Sequence, residues 1–115
     1  MYFDGKVRDG YFEEYPIPPS IGRHRPDCIS INENGKKAIG EAKTADDLNS
    51  IRTYEELLDY TTVCKNDPSY EYVFVGFPIE GELFFEQLCD KLPEANRSFI
   101  VPMKYYSDLD DEYEL

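Results

Sequence analysis

Residues 27 to 43 read DCISINENGKKAIGEAK, and this stretch decides how the chain folds. Apolar and polar residues alternate from Asp27 to Asn32 and again from Ala38 to Lys43, as they do in strands that bury one face. The turn residues Glu33-Asn34-Gly35 separate the two runs. The stretch therefore predicts a β-hairpin.

The register of this hairpin determines which charged side chains meet. A two-residue turn would set Asp27 opposite Ala42. A three-residue loop that ends in a left-handed Gly35 sets Asp27 opposite Glu41 instead. We expect the three-residue loop, because a slip of one residue would turn the two acidic side chains away from each other. Lys43 then shares a face with Glu41, because side chains in a strand repeat every two residues.

The predicted cluster of two acids and a lysine has the chemistry of a metal site. Asp27 and Glu41 offer carboxylate oxygens, and the Ala42 carbonyl offers a third oxygen, which suits Mg²⁺ or its substitute Mn²⁺. Such a metal would polarise a phosphoryl group and lower the pKa of bound water, while Lys43 orients that water or stabilises the developing charge. The alternative is a partly exposed ion network without chemistry. Facing carboxylates repel each other, so a bound cation explains their placement more simply.

The rest of the chain alternates between strand and helix patterns. The predicted elements are a short extended piece at 11–17, a helix from Thr53 to about Asn66 opened by a Thr53–Glu56 capping box, a buried strand at 72–77, a helix at 83–92 and a last strand at 98–106. The acidic run 107–115 predicts a loose tail, which leaves residues 1–106 as a single domain.

The net charge of −12 opposes nucleic-acid binding, which normally relies on basic side chains. The charge is uneven, since residues 22 to 43 carry five basic and three acidic side chains. The three cysteines are far apart and odd in number, so they predict small core residues in a reducing compartment. No segment has the apolar length of a signal peptide or membrane span, and we expect a soluble, cytoplasmic protein.

Three segments together resemble the PD-(D/E)XK, or restriction-endonuclease-like, nuclease superfamily. They are Arg25-Pro-Asp-Cys-Ile-Ser-Ile31, Ala38-Ile-Gly-Glu-Ala-Lys-Thr44 and Thr53-x-x-Glu-Leu-x-x-Tyr60, and with the later strand and helix the resemblance spans residues 11 to 106. It implies a three-layer α/β/α fold with a mixed central sheet, magnesium, and cleavage of DNA or less often RNA. It also implies metal ligation by Asp27 and Glu41 and a catalytic Lys43.

The chain departs from that family in two places. Members commonly have a full helix before the first core strand, whereas only ten residues precede Tyr11 here. The N-terminal helix is therefore expected to be short, absent or supplied by a partner chain, with Glu13 or Glu14 as candidates for a further acidic ligand. Many members carry glutamine where this chain has Glu56, and the capping box explains Glu56 without a catalytic role.

Three residues before Asp27 are candidates for substrate binding. Arg23 and Arg25 are placed to hold a substrate phosphate, and His24 to contact phosphate or assist proton transfer, against the simpler interpretation of exposed side chains. The sequence thus predicts a magnesium-dependent endonuclease acting on DNA, as a homodimer if both strands are cut. The alternative is a non-catalytic acidic module on the same fold that binds a basic partner or mimics nucleic acid.

Overall fold

The computed structural model describes residues 6–8, 11–13 and 18–106, with side chains described from residue 18 onward. Its strands are β1 (Lys6–Arg8), β2 (Tyr11–Glu13), β3 (Cys28–Asn32), β4 (Lys37–Ala42), β5 (Tyr70–Pro78) and β6 (Ile100–Tyr105). Its helices are α1 (Ile51–Asn66), α2 (Glu82–Lys91) and α3 (Glu94–Arg97), with 3₁₀ turns at Asp47–Asn49 and Ile79–Gly81. The predicted tail at 107–115 and the end of the predicted extended piece, 14–17, lie outside the described residues.

The strands form one mixed sheet in the order in which they follow along the chain. Strands β1 to β4 are antiparallel neighbours, whereas β4, β5 and β6 run parallel to one another. Parallel neighbours need a crossover, which α1 supplies between β4 and β5 and which α2 and α3 supply between β5 and β6. The four longer strands form the body of the sheet, and the short β1 and β2 extend it beside β3.

The hairpin has the predicted register. Ile29 pairs with Ile39 and Cys28 with Gly40, as the three-residue loop requires. Gly35 has a φ of 78°, the left-handed conformation that glycine adopts without steric cost. The side chain of Asn32 closes the loop by accepting hydrogen bonds from two backbone N–H groups within it. The prediction of this hairpin is confirmed.

The helices of the described region pack on one face of the sheet. Side chains of α1 and α2 join those of the strands in one cluster, which includes Ile29, Ile39, Leu57, Tyr60, Val73, Val75, Phe85 and Leu88. The opposite face carries a smaller cluster formed by Cys28, Ala38 and Phe74, with Val101 and Met103 packed against it. Both faces of β5 are therefore buried, as predicted.

The predicted three-layer arrangement is not found among the described residues, which form two layers. The strand order never reverses, so successive right-handed crossovers place their helices on the same face. The mixed α/β sheet is confirmed at this coarser level. Strands occupy residues 6–8 and 11–13, so the described part of the N-terminal region contains no helix. None of the described helices is long and apolar enough to cross a membrane.

Helix α1 begins earlier than predicted, and this changes the interpretation of Glu56. Ser50 is the N-cap, because its side chain accepts the Thr53 N–H at 3.2 Å. Thr53 instead lies in the first turn and donates its hydroxyl to the Asp47 carbonyl at 2.6 Å. The predicted capping box is therefore wrong. Glu56 lies inside the helix with only 4% of its surface exposed, so it needs another explanation.

Candidate active site

Asp27 and Glu41 meet where the hairpin ends, and two hydrogen bonds hold them there. The Asp27 N–H donates to Oε1 of Glu41 at 3.0 Å, and the Ala42 N–H donates to Oδ2 of Asp27 at 2.6 Å. Asp27 is exposed, whereas only 2% of the Glu41 surface is exposed. The structure thus places one accessible and one buried carboxylate beside each other, as the hairpin register predicted.

Lys43 lies on the same face and joins two acids. Its Nζ lies 3.2 Å from Oε2 of Glu41 and 2.8 Å from Oε1 of Glu56. The Lys43 side chain is 12% exposed, so its ammonium group has lost most of its contact with water. Glu56 therefore lies in the same cluster as Lys43, whereas the sequence analysis assigned it to the capping box of α1. Its place on the buried face of α1, four residues before the buried Tyr60, was the signal that could have found it.

The two buried glutamates compete for a shared proton, because their surroundings shift the two pKa values in opposite directions. Burial, the hydrogen bond to Glu56 and the charge of Asp27 raise the pKa of Glu41 to about 8. Burial acts in the same direction on Glu56, but hydrogen bonds from Glu41 and Lys43 outweigh it and hold the pKa of Glu56 below its usual value. These shifts favour the proton on Glu41 rather than on Glu56, and the Glu56 carboxylate forms the ion pair with Lys43.

Lys43 stays charged in spite of its burial. Burial lowers the pKa of Lys43, but the hydrogen bond to Glu56 and the attraction of both glutamates raise it above its usual value overall. A buried ammonium group held between two acids has a fixed position and a fixed charge. Such a group is suited to stabilise negative charge on a bound phosphate without moving.

Tyr60 has a buried hydroxyl on which the charges of nearby carboxylates act. The side chain is fully buried, and its Oη has no hydrogen-bond partner among the described residues. Burial raises the pKa of this hydroxyl, so it is a neutral donor at physiological pH. The carboxylates whose charges raise the pKa further are those of Glu41, Glu56, Asp27 and Asp59. A buried unpaired hydroxyl among acids is a polar group that a bound ion or water would satisfy.

The three predicted substrate contacts differ in their surroundings. The side chain of Arg23 is 81% exposed and makes a long ion pair of 3.5 Å with Glu55 on α1. Arg25 is exposed. His24 is not an exposed loop residue, because its side chain is only 11% exposed and its Nδ1 lies 3.1 Å from Oδ2 of Asp59. The simple surface interpretation of His24 is therefore wrong.

The described donor set fits a lightly coordinated cation. The residues described contain no group of three or more histidine, cysteine, aspartate or glutamate side chains arranged to enclose a metal ion. Mg²⁺, however, is commonly held by one or two carboxylates, with water and substrate phosphate completing its shell. Asp27 and Glu41 provide two such carboxylates. For the further acidic candidates, only the backbone of Glu13 is described, in β2, and Glu14 lies outside the described residues.

Comparison with known proteins adds no relative. No protein-family model, no curated protein and no solved structure matches the chain. The resemblance to the PD-(D/E)XK superfamily therefore stays a prediction, and it rests on the motif residues quoted from the sequence. The chemistry of the site has to be argued from the geometry of its own side chains.

Proposed function

We propose that this chain is a metal-dependent phosphodiesterase of PD-(D/E)XK type that hydrolyses nucleic acid, DNA rather than RNA. The observation that carries the proposal is the contact between Asp27 and Glu41, which two backbone hydrogen bonds fix at the end of the hairpin. Lys43 on the same face supplies the positive charge that a phosphodiester requires. The hydroxyl of Tyr60 on α1 is also buried without a hydrogen-bond partner in the part of the chain that the structure describes, whereas a closed structural network would normally satisfy it.

The metal would be held by Asp27, Glu41 and the Ala42 carbonyl, with Glu13 or Glu14 as further candidates. Mg²⁺, or Mn²⁺ in its place, would polarise the phosphoryl group and lower the pKa of bound water. Each carboxylate oxygen has two lone pairs, so the hydrogen bonds that Glu41 accepts leave capacity for a cation. Binding would also require Glu41 to lose its proton, which is the usual linkage between metal and proton at a carboxylate site.

Lys43 and the basic loop would act on the substrate. Glu56 positions Lys43 by its 2.8 Å contact, and this fixed ammonium group would stabilise charge on the transferring phosphoryl group. Arg23 and Arg25 lie in the loop before Asp27 and would hold neighbouring phosphates. Cleavage of both strands of a duplex needs two such sites, so we propose that the active form is a homodimer.

Two substitutions at the site test the proposal. Asp27→Asn keeps an acceptor for the Ala42 N–H but removes the negative charge, and Lys43→Met keeps the apolar stem without the ammonium group. Each should lower Mg²⁺-dependent cleavage of a labelled DNA duplex by about 100-fold or more. Glu94→Gln, at an exposed position on α3, is the matched control and should leave cleavage unchanged. Wild-type activity in both site variants would overturn the proposal.

A non-catalytic acidic module is the second candidate. The net charge of −12 favours it, and so does the fact that both oxygens of Glu41 already have protein partners. In that case the chain would bind a basic partner or occupy a nucleic-acid-binding site by charge mimicry. Titration with Mn²⁺ separates the candidates. A phosphodiesterase should bind the ion and lose binding on Asp27→Asn, whereas the module should show no binding that depends on Asp27.

A further inference from the structure

The chain's single histidine is fixed against helix α1 by a tight turn. Ile21 and His24 exchange both backbone hydrogen bonds, at 2.7 and 3.1 Å, across a two-residue turn. This turn directs the His24 ring onto α1, where Nδ1 lies 3.1 Å from Oδ2 of Asp59. The His24 side chain is 11% exposed and that of Asp59 is 31% exposed, so the pair is largely withdrawn from water but still accessible.

Gly22 is the residue that allows this approach. Its φ of 62° is left-handed, and a Cβ at this position would lie 2.6 Å from Oδ2 of Asp59. No side chain larger than hydrogen fits there unless Asp59 moves. The turn and the helix are therefore in direct contact at Asp59, and the position of His24 is set by packing as well as by its own hydrogen bond.

The pair borders the candidate active site. Asp59 follows Glu56 by three residues on α1, a spacing that places two side chains on one helix face. Glu56 in turn contacts Lys43 at 2.8 Å, and His24 precedes Asp27 by three residues, so the pair is connected to the predicted site residues both through α1 and through the loop. Lys43 is held by two glutamates and, as a charged ammonium group, has no lone pair to accept a proton.

The arrangement of His24 and Asp59 is that of an oriented base. When a carboxylate accepts the Nδ1–H of a neutral histidine, it fixes the tautomer in which Nε2 carries the lone pair. The Nε2 atom of His24 has no hydrogen-bond partner among the described residues. The carboxylate then also stabilises the imidazolium that forms when Nε2 takes a proton.

We propose that His24, oriented by Asp59, is the general base of the phosphodiester hydrolysis, an inference that rests on the proposed function. Nε2 takes a proton from the attacking water, and the water oxygen forms a new bond to phosphorus. The bond between phosphorus and the leaving sugar oxygen breaks, and that oxygen keeps the electron pair and takes a proton from solvent. His24 is then the catalytic residue and Asp59 a positioning residue.

Single-turnover and steady-state cleavage of a DNA duplex with Mg²⁺ test this assignment. His24→Ala should lower kcat by about 10²- to 10⁴-fold with little change in KM, as expected for a lost general base. Added imidazole should restore part of kcat in that variant, which a purely structural role for His24 would not produce. Asp59→Asn should lower kcat by about 10- to 100-fold. The variant that combines His24→Ala with Asp59→Asn should be no slower than His24→Ala alone.

The controls separate this inference from the proposed function. Glu94→Gln, at an exposed position on α3, should leave kcat unchanged. His24→Gln keeps an amide that can reach Asp59, so it should fold as the wild type does and still lose kcat. An unchanged kcat in His24→Gln, or a loss confined to KM, overturns the general base while cleavage that depends on Asp27 and Lys43 upholds the phosphodiesterase. Absence of metal-dependent cleavage in the wild type overturns both.

Discussion

At the residue scale, the facing carboxylates are stabilised in a way that the sequence did not reveal. Asp27 and Glu41 would repel each other as two anions, and a cation was the simplest expected remedy. Two other interactions reduce this repulsion, since Asp27 accepts the Ala42 N–H and the raised pKa of Glu41 favours its protonated form. Repulsion between the two carboxylates is therefore weaker support for a bound metal than the position of the groups is. A metal ion bound at Glu41 would compete with that proton.

The shared proton predicts a pH-dependent stability that Glu41→Gln should remove. The pKa of Glu41 is raised from 4.5 to about 8. The stabilisation of the folded state by protonated Glu41 is therefore fully present below pH 4.5 and is lost as the pH rises through 8. The amide introduced by this substitution resembles the protonated acid, because it can accept the Asp27 N–H and donate to Glu56. At pH 9 without metal, Glu41→Gln should raise the free energy of unfolding by on the order of 2 kcal/mol.

Urea unfolding at pH 6 and pH 9 measures this effect. The advantage of Glu41→Gln over the wild type should be present at pH 9 and much smaller at pH 6. Glu55→Gln serves as the control, because Glu55 is 41% exposed and pairs only weakly with Arg23. A constant difference between Glu41→Gln and the wild type at both pH values would contradict the shared proton.

Tyr60 offers a second test at the residue scale. Its buried hydroxyl has no partner in the described region, so Tyr60→Phe should leave stability unchanged or raise it by up to about 1 kcal/mol. Thr61→Val is the matched control, because the Thr61 hydroxyl donates to the Leu57 carbonyl at 2.7 Å and accepts from Asn96. Thr61→Val should lower the free energy of unfolding by about 1 to 3 kcal/mol. Chemical unfolding of the metal-free protein makes the comparison, and a large loss in Tyr60→Phe would reveal a partner for the hydroxyl.

At the scale of elements, the hairpin was predictable and the start of α1 was not. One glycine and the alternation on both sides of it leave a single register that buries Ile29 and Ile39 together. Helix caps carry less information, because Ser50 and Thr53 are both good N-caps and the sequence contains a Glu three residues after Thr53. The choice of Thr53 rather than Ser50 as the N-cap assigned Glu56 to a capping box instead of to the site. The packing of Glu56 on Lys43 is a long-range contact, which no local pattern contains.

The same hairpin gives a prediction for Gly35. Its φ is 78° and a Cβ there would meet nothing within 4 Å, so the cost of substitution is conformational only. Gly35→Ala should lower the free energy of unfolding by about 1 kcal/mol, and Gly35→Asn by less, since asparagine tolerates the left-handed region. Thermal and urea unfolding of the two variants measure the difference. Equal losses in both would mean that the loop changes conformation when substituted.

At the scale of the whole molecule, the order of the strands explains both the position of the site and the packing of the described helices on one face of the sheet. A sheet whose strands follow each other without reversal receives its helices on one face. Glu41 and Lys43 lie at the carboxyl end of the parallel strand β4, the end where α/β sheets commonly bind ligands. The sequence alternation predicted the strands and helices but not the side of the sheet on which each helix packs. That side depends on strand order, which is set by pairing between distant segments.

The net charge of −12 makes a prediction about salt that follows from the whole chain. A typical basic nucleic-acid protein loses affinity as salt rises, because binding releases counterions. Here the long-range interaction with DNA is repulsive, and salt screens repulsion as effectively as attraction. With Mg²⁺ saturating, kcat/KM for duplex cleavage should therefore rise between about 20 and about 150 mM NaCl, where the Debye length falls toward roughly 8 Å.

The direction of this salt effect discriminates between the two functions. An acidic module that binds a basic partner should bind more weakly as salt rises, because the attraction between opposite charges is screened. Cleavage by the proposed phosphodiesterase should change in the opposite direction. Arg25→Gln provides a control, since loss of a local phosphate contact should lower kcat/KM at every salt concentration without reversing the slope. A steep fall in kcat/KM with salt would show that the basic loop around Arg23 and Arg25 outweighs the acidic remainder of the chain.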